Sequence, residues 1–216
     1  MNLFYLQIIL NHSITVAVVL GIARYKRIVK AYRPFLYFIF LGFINETISL
    51  VVIESHQSNT INSNFYLLFE YLILLYQFYT WNACPAKQLT VFAGLGVAVW
   101  ITDNLLVNRM TDANAGFRCY ASFVLIFFCI ETMKRLIVDV KGNLLREGCF
   151  LICVALVLFY GCKAFAEGFH LFHVPFSGAF YNALWITLSV INGISNLIFA
   201  IAVLWLPTRE EYTLRY

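Results

Sequence analysis

Seven apolar stretches divide this 216-residue chain, and nearly all of its cationic residues fall in every second gap between them. Twelve of the 15 Lys and Arg residues lie in alternate gaps or the tail, namely residues 24–33, Lys87, residues 134–146, Arg209 and Arg215. The intervening gaps, residues 54–64, 107–116 and 168–178, hold a single cation, Arg109. The positive-inside rule predicts this alternation for a membrane protein with several spans.

The composition supports a membrane location. Hydrophobic residues make up 62% of the chain, charged residues only 12%, and the mean hydropathy is +0.79. A soluble domain carries roughly 25% charged residues, so this chain has too few to cover a water-facing surface. The net charge of +4 is spread among short loops beside apolar segments. This distribution favours the lipid bilayer as partner and argues against nucleic acid.

A membrane-spanning helix needs about 20 mainly apolar residues. Seven segments qualify: residues 2–21, 34–53, 65–82, 89–107, 117–137, 148–167 and 179–206. The first has no basic segment before it and no cleavage site, so we expect a retained helix. The sequence therefore predicts one all-α domain over residues 1–216, a bundle of seven transmembrane helices. Its N-terminus is outside and its C-terminus cytoplasmic.

Charged and strongly polar side chains inside the predicted spans are costly, and they usually have a partner or a function. The candidate ligand-binding residues are His12, Glu46, Glu70, Asp103, Arg118, Lys163, Glu167, Asn192 and Asn196. Most of them lie in the outer half of the membrane in the predicted orientation. We therefore predict a polar pocket open to the outside, with Glu46 and Glu70 facing inward and Lys163 or Arg118 as counter-charges.

A structural role for the same residues is the alternative. Lys163 and Glu167 are four residues apart, so they can pair with each other. Asn192 and Asn196 are also four apart and face the same way, so their amides can bond across helices. A network of ion pairs and amide bonds would then need no ligand.

The chain contains no H-E-x-x-H, Walker-type, G-x-S-x-G or C-x-x-C motif, so we predict no catalytic residue, no metal site and no cofactor. His170 and His173 are three apart but have no third ligand at a defined spacing. Seven helices with an outside N-terminus are also found in rhodopsins and G-protein-coupled receptors. Residues 179–206 contain no lysine for retinal, and the D-R-Y and N-P-x-x-Y signatures are missing. The chain is therefore not predicted to be a retinal protein.

Three short features carry a resemblance to a known group. They are Arg24, Tyr25 and Lys26 after the first span, Phe69, Glu70 and Tyr71 in the third, and the asparagines of the seventh. In these features the chain resembles the uncharacterised small seven-helix integral membrane proteins of Bacteroidetes-type bacteria. The resemblance implies the fold and a multi-pass location in a bacterial inner membrane. It implies no activity.

Three interpretations of function follow. The first is a non-enzymatic module that binds a small molecule or lipid, as a sensor or as a subunit with another membrane protein or a second copy of itself. The second is a transporter or channel, for which Asn192, Asn196 and Gln77 could extend a polar path. The third is an intramembrane enzyme acting on lipid, with Glu46, Glu70 and His12 within about 5 Å of one another.

Overall fold

The computed structural model describes residues 3–139, 142–172 and 177–208, so Lys141, His173, Pro175, Arg209 and Arg215 lie outside the described residues. Within that part the protein is helical and has no β-strand, which confirms the predicted all-α class. Its α-helices are α1 (Leu3–Asn11), α2 (Ile14–Arg24), α3 (Arg33–Glu54), α4 (Thr60–Thr80), α5 (Ala86–Ile101), α6 (Ala115–Asp139), α7 (Gly148–Leu171) and α8 (Gly178–Trp205).

The first apolar stretch forms two helices, because the helix is interrupted at His12 and Ser13 between α1 and α2. The Ser13 hydroxyl donates to the Leu10 carbonyl oxygen at 2.6 Å, and His12 Nδ1 lies 3.0 Å from the Ile8 carbonyl oxygen. Side chains that bond to nearby carbonyl groups compete with regular helical bonding. The sequence Asn11-His12-Ser13 thus places a break inside an otherwise apolar segment.

Local sequence also explains other helix boundaries. Pro34 occupies the first turn of α3, where a backbone N–H is not needed for a helical bond. Ser177 caps α8, since its Oγ accepts a hydrogen bond from the Phe180 N–H at 3.3 Å. At its C-terminal end α5 widens into a π-helical segment, Thr102–Val107.

The described cationic segments come together at one end of the bundle. This basic end comprises residues 24–33, 80–87, 134–139, 142–148 and 205–208. The Arg24 guanidinium donates to the Leu204 carbonyl oxygen at 2.6 Å, and the Arg135 guanidinium donates to the Asn82 carbonyl oxygen at 2.6 Å. Arg24 therefore caps the carbonyl end of α8, where a cation is favoured.

The half of the bundle next to the basic end, here the aromatic half, is filled by apolar side chains. Phe78 and Phe128 stack with ring centroids 5.5 Å apart, and Phe35 meets Phe199 edge to face at 5.4 Å. Each of these four rings is at most 3% exposed. The other half, here the polar half, comprises residues 3–14, 41–70, 96–107, 115–122, 159–171 and 178–196, and its buried side chains include many polar ones.

Five helices in the described part of the chain are long and apolar enough to cross a membrane. They are Leu6–Arg24, Lys30–Glu54, Ala86–Val107, Gly148–Leu171 and Gly178–Trp205. Large apolar side chains such as Ile22, Leu106 and Phe123 expose more than half of their surface. Of the remaining long helices, α4 carries the buried Glu70, and α6 carries Arg118, whose side chain is 13% exposed.

Candidate ligand-binding cavity

A cavity of about 230 Å³ lies mainly in the polar half, between α1, the start of α2, α3, α4, α6, α7 and α8. Its polar lining consists of Asn11, Asn45, Glu46, Ser63, Tyr66, Glu70, Arg118, Lys163, Asn192 and Asn196. Its apolar lining consists of Ile14, Phe38, Gly42, Leu67, Phe159, Trp185 and Phe199. This central cavity therefore joins six of the nine predicted ligand-binding residues around one space.

Glu70 and Lys163 form an ion pair across the central cavity wall, from α4 to α7. The Lys163 Nζ lies 3.6 Å from Glu70 Oε2, and both side chains are largely buried. The Tyr66 hydroxyl donates to Glu70 Oε1 at 2.9 Å. The Lys163 ammonium also sits 5.2 Å from the centre of the Phe159 ring, within cation–π range. Glu70 therefore has two partners, Tyr66 on its own helix and Lys163 on α7.

Arg118 and Glu167 form the second ion pair, from α6 to α7. The Arg118 Nη1 donates to Glu167 Oε1 at 3.0 Å. Its Nη2 donates to the Ser63 hydroxyl at 3.0 Å, and its Nε donates to Asn114 Oδ1 at 2.9 Å. Each of the three guanidinium nitrogens therefore has a protein acceptor, which offsets the cost of burying most of this arginine. Arg118 fixes three elements around the cavity.

These two pairs decide between the alternatives for Lys163 and Glu167. The two residues are four apart on α7, yet each takes its partner from another helix, Glu70 and Arg118 respectively. The local pair that their spacing allows is not the one that forms. The ion pairs are long-range contacts that shape the cavity wall.

Glu46 differs from the other carboxylates of the cavity. Among the described residues, no Lys, Arg or His nitrogen lies within 4.0 Å of its carboxylate. It lines both the central cavity and a neighbouring cavity of about 120 Å³ between α1 and α3, which His12 and Ser49 also line. His12 therefore lies beside Glu46, in the smaller cavity.

Asn192 and Asn196 bond across helices to the interruption between α1 and α2. The Asn192 amide donates to Asn11 Oδ1 at 3.1 Å, and the Asn196 amide donates to the Ser13 hydroxyl at 3.1 Å. Between them, Gly193 lets α1 approach closely, because a Cβ there would lie 2.9 Å from Leu10 Cδ2. Asn192 also lines a third cavity, of about 170 Å³, between α7 and α8. These two amides therefore tie α8 to the interruption between α1 and α2, and both line the central cavity.

Asp103 lies away from the three cavities. Its carboxylate accepts hydrogen bonds from the Phe117 N–H and the Asn108 amide, each at 2.7 Å. It therefore caps the start of α6 and ties it to the π-helical segment, since an anion is favoured at a helix N-terminus. The structure thus gives this residue a structural contact and no place in the cavity lining.

Asn11, Ser63, Tyr66 and Asn114 contact the predicted site residues but were not themselves predicted. Tyr66 precedes Glu70 by four residues, and Asn114 precedes Arg118 by four. Polar residues at helical spacing from a buried charge were a usable signal for these two. Asn11 lines all three cavities, and its place beside His12 in an otherwise apolar segment was the signal for it.

The enzyme interpretation required Glu46, Glu70 and His12 to meet. In the described part of the chain, no three His, Cys, Asp or Glu side chains are grouped closely enough to hold a metal ion. Glu70 and Glu46 share the central cavity, whereas His12 lines only the smaller one. The geometry therefore supplies no three-ligand centre from these residues.

Comparisons with known proteins return nothing for this chain: no family model, no characterised protein and no solved structure matches it. The functional conclusion accordingly depends on the cavity and its chemistry.

Proposed function

We propose that this chain is a multi-pass protein of a bacterial inner membrane that binds a small molecule in the central cavity. Seven spans cross the bilayer, the basic end faces the cytoplasm, and the cavity lies in the outer half. The protein works as a sensor or as a subunit of a larger membrane assembly. The central cavity, built from two buried ion pairs around an open space, is the observation that carries the proposal.

Two features support the membrane arrangement. Large apolar side chains are exposed along the helices, and water would not tolerate that surface on a monomer. The described cationic segments also meet at one end of the bundle, as they would if all of them faced one side of a membrane. The charges of α4 and α6 that would sit at membrane depth, Glu70 and Arg118, are turned inward and paired.

The size and chemistry of the cavity support ligand binding. Ligand sites for drug-sized molecules are about 300–1,000 Å³ and combine apolar walls with a few polar groups. A cavity of about 230 Å³ with aromatic walls and several amides fits a smaller ligand of that kind. Neighbouring cavities of about 170 and 120 Å³ share Asn11 with it, and they could admit a ligand from the surface.

Cysteine labelling tests the membrane arrangement. In a Cys84→Ala, Cys162→Ala background, single cysteines replace Gln57 and Asn143, two exposed residues at opposite ends of the bundle. In intact cells, a membrane-impermeant maleimide should label the cysteine introduced at position 57. It should label the cysteine introduced at position 143 only after the membrane has been permeabilised. Labelling of both positions in intact cells would reject the proposed orientation.

Thermal unfolding of the protein in lipid nanodiscs tests binding. The probes are choline, ethanolamine, 3,3-dimethylbutan-1-ol, acetate and inorganic phosphate, which differ in charge but are all small enough for the cavity. We expect at least one of them to raise the melting temperature, because a ligand that binds only the folded state stabilises it. The cavity-filling variant Asn192→Phe should lose this shift.

The matched control is Asn182→Phe, which places the same side chain on an exposed position of the same helix. It should keep the full ligand-induced shift. If no probe stabilises the wild type, or if both phenylalanine variants respond alike, the central cavity is not the binding site.

A transporter is the second candidate, and a cavity at the basic end favours it. This cavity of about 270 Å³ is lined by Tyr32, Thr80, Trp81 and Arg135, among others. Gln77 lies beside this cavity, because its amide donates to the Thr80 hydroxyl at 2.9 Å and Thr80 lines the cavity. The Gln77 amide is also engaged with the backbone, accepting from the Phe35 N–H and donating to the Ala31 carbonyl oxygen, each at 2.7 Å.

Flux distinguishes the two candidates. Proteoliposomes loaded with radiolabelled choline, ethanolamine, acetate or phosphate should retain each compound as well as empty liposomes if the protein only binds ligands. Release that Asn192→Phe abolishes and Asn182→Phe preserves would instead establish transport.

A further inference from the structure

We infer that the ligand of the central cavity is a small organic ammonium ion, and that Glu46 is its counter-charge. This inference rests on the proposed function and adds the chemical class of the ligand. It follows from a count of charges, from the walls around Glu46 and from the position of Glu46 among the cavities.

The charges that line the central cavity and the cavity between α7 and α8 do not balance. The carboxylates are Glu46, Glu70 and Glu167, and the cations are Arg118 and Lys163. Glu70 is paired with Lys163 and Glu167 with Arg118, so Glu46 is left over. Glu46 is half-buried and lies at membrane depth in the proposed arrangement. A carboxylate there without a counter-charge is costly, and a bound cation removes that cost.

The groups that face Glu46 do not provide this cation. Asn11 is a neutral amide, and Glu70 is a second carboxylate that repels it. His12 also acts on Glu46, but its ring nitrogens are beyond ion-pair distance, and its Nδ1 lies 3.0 Å from the Ile8 carbonyl oxygen. Space adjoins the carboxylate on two sides, since it lines both the central cavity and the α1–α3 cavity.

The aromatic walls suit an ammonium group. Tyr66, Phe159 and Trp185 line the central cavity, and ring faces attract cations. The protein already uses one of these rings in this way, because the Lys163 ammonium lies 5.2 Å from the centre of Phe159. An anionic ligand would meet an excess of carboxylate and no unpaired cation in the described lining. The site therefore selects positive charge.

Equilibrium binding in nanodiscs tests the inference with a pair of probes of matched shape. Choline and 3,3-dimethylbutan-1-ol differ in the charged nitrogen, and ethanolamine tests the primary ammonium. We expect choline or ethanolamine to bind and the neutral isostere to bind at least about 30-fold more weakly. Glu46→Gln should weaken ammonium binding by a similar factor, because it removes one partner of a desolvated charge pair.

Two further variants separate a ligand contact from a folding defect. Glu46→Asp keeps the charge and should retain ammonium binding within about tenfold of the wild type. Glu131→Gln changes a carboxylate of an exposed ion pair on α6 and should bind as the wild type does. Without ligand, Glu46→Gln should unfold at the same temperature as the wild type or higher, since an unpaired carboxylate is removed.

The outcomes are distinguishable. If acetate, phosphate or the neutral isostere binds and the ammonium ions do not, the ligand class is wrong although the cavity still binds ligands. Ammonium binding that Glu46→Gln leaves unchanged rejects Glu46 as the counter-charge. If none of the probes binds, the inference and the proposed function fail together.

Discussion

The two halves of this bundle are built on different principles. In the aromatic half, rings such as Phe35, Phe78 and Phe128 fill the space between helices. In the polar half, directed contacts such as Arg118 to Glu167 hold the helices apart around a cavity. Dispersion contacts are individually weak and stabilise by number, whereas an ion pair fixes two atoms at a set distance. One half therefore supplies close packing, and the other supplies a shaped space.

Breaking an ion pair in the polar half should have the largest effect. Arg118→Met removes a cation with three protein acceptors and leaves the carboxylate of Glu167 unpaired. We expect a loss of about 3–5 kcal/mol in the free energy of unfolding, the usual cost of removing one partner of a buried pair. Unfolding by sodium dodecyl sulfate in bicelles measures it.

The matched control is Lys134→Met on the same helix, which breaks the exposed Lys134–Glu131 pair. Exposed pairs contribute little, so this change should cost less than about 1 kcal/mol. Equal losses from the two variants would mean that the buried ion pair stabilises the fold no more than the exposed pair does.

Removing a ring from the aromatic half should have the next largest effect. Phe78→Ala deletes a fully buried side chain that stacks on Phe128 and meets Trp81 edge to face. We expect a loss of about 3 kcal/mol in the same unfolding assay, since a cavity replaces the ring. The exposed Phe123, on the outer surface of α6, is the control, and its change to Ala should alter stability by less than about 0.5 kcal/mol.

Two glycines on α5 test how closely the helices approach between the halves. A Cβ at Gly96 would overlap the Tyr71 ring, whereas a Cβ at Gly94 would meet nothing within 4 Å. Gly96→Ala should therefore cost about 1–3 kcal/mol through overpacking. Gly94→Ala should stabilise by up to about 1 kcal/mol, because alanine favours the helix. A stabilising Gly96→Ala would contradict the close approach of α4 and α5.

The smallest expected loss of stability is at the amides that bond α8 to the interruption between α1 and α2. Asn196→Leu removes hydrogen bonds to Ser13 Oγ and the Asn11 carbonyl oxygen. Hydrogen bonds between membrane helices average about 0.6 kcal/mol, so we expect a loss of about that size per bond. Asn182→Leu, at an exposed position of the same helix, is the control and should be close to neutral.

The helices were largely predictable, because apolar length and charged gaps are properties of the chain itself. Residues 148–167 and 179–206 were expected as helices, and α7 and α8 begin at Gly148 and Gly178. The interruption at His12 and Ser13 was not expected. Its cause is competition between side-chain and backbone hydrogen bonds over a single turn, and hydropathy does not report such competition.

Most of the charged residues that line the cavity were predictable from the sequence, but the ion pairs that they form were not. Buried charges in one half of the spans indicated a polar site, because such charges are costly elsewhere. Spacing alone could not choose between Lys163 with Glu167 and the pairs that the structure contains. The capping role of Asp103 also depends on where α6 begins relative to α5, which is a tertiary relationship.

The pairing of Glu70 with Lys163 has a consequence for how the chain is made. The two residues are 93 positions apart (163 − 70), and ribosomes add about 5–20 residues per second. Glu70 on α4 is thus synthesised about 5–20 s before its cationic partner on α7. During biosynthesis Tyr66, four residues away, is the first group available to shield that carboxylate. The ion pair that forms this side of the cavity can therefore form only after α7 has been synthesised.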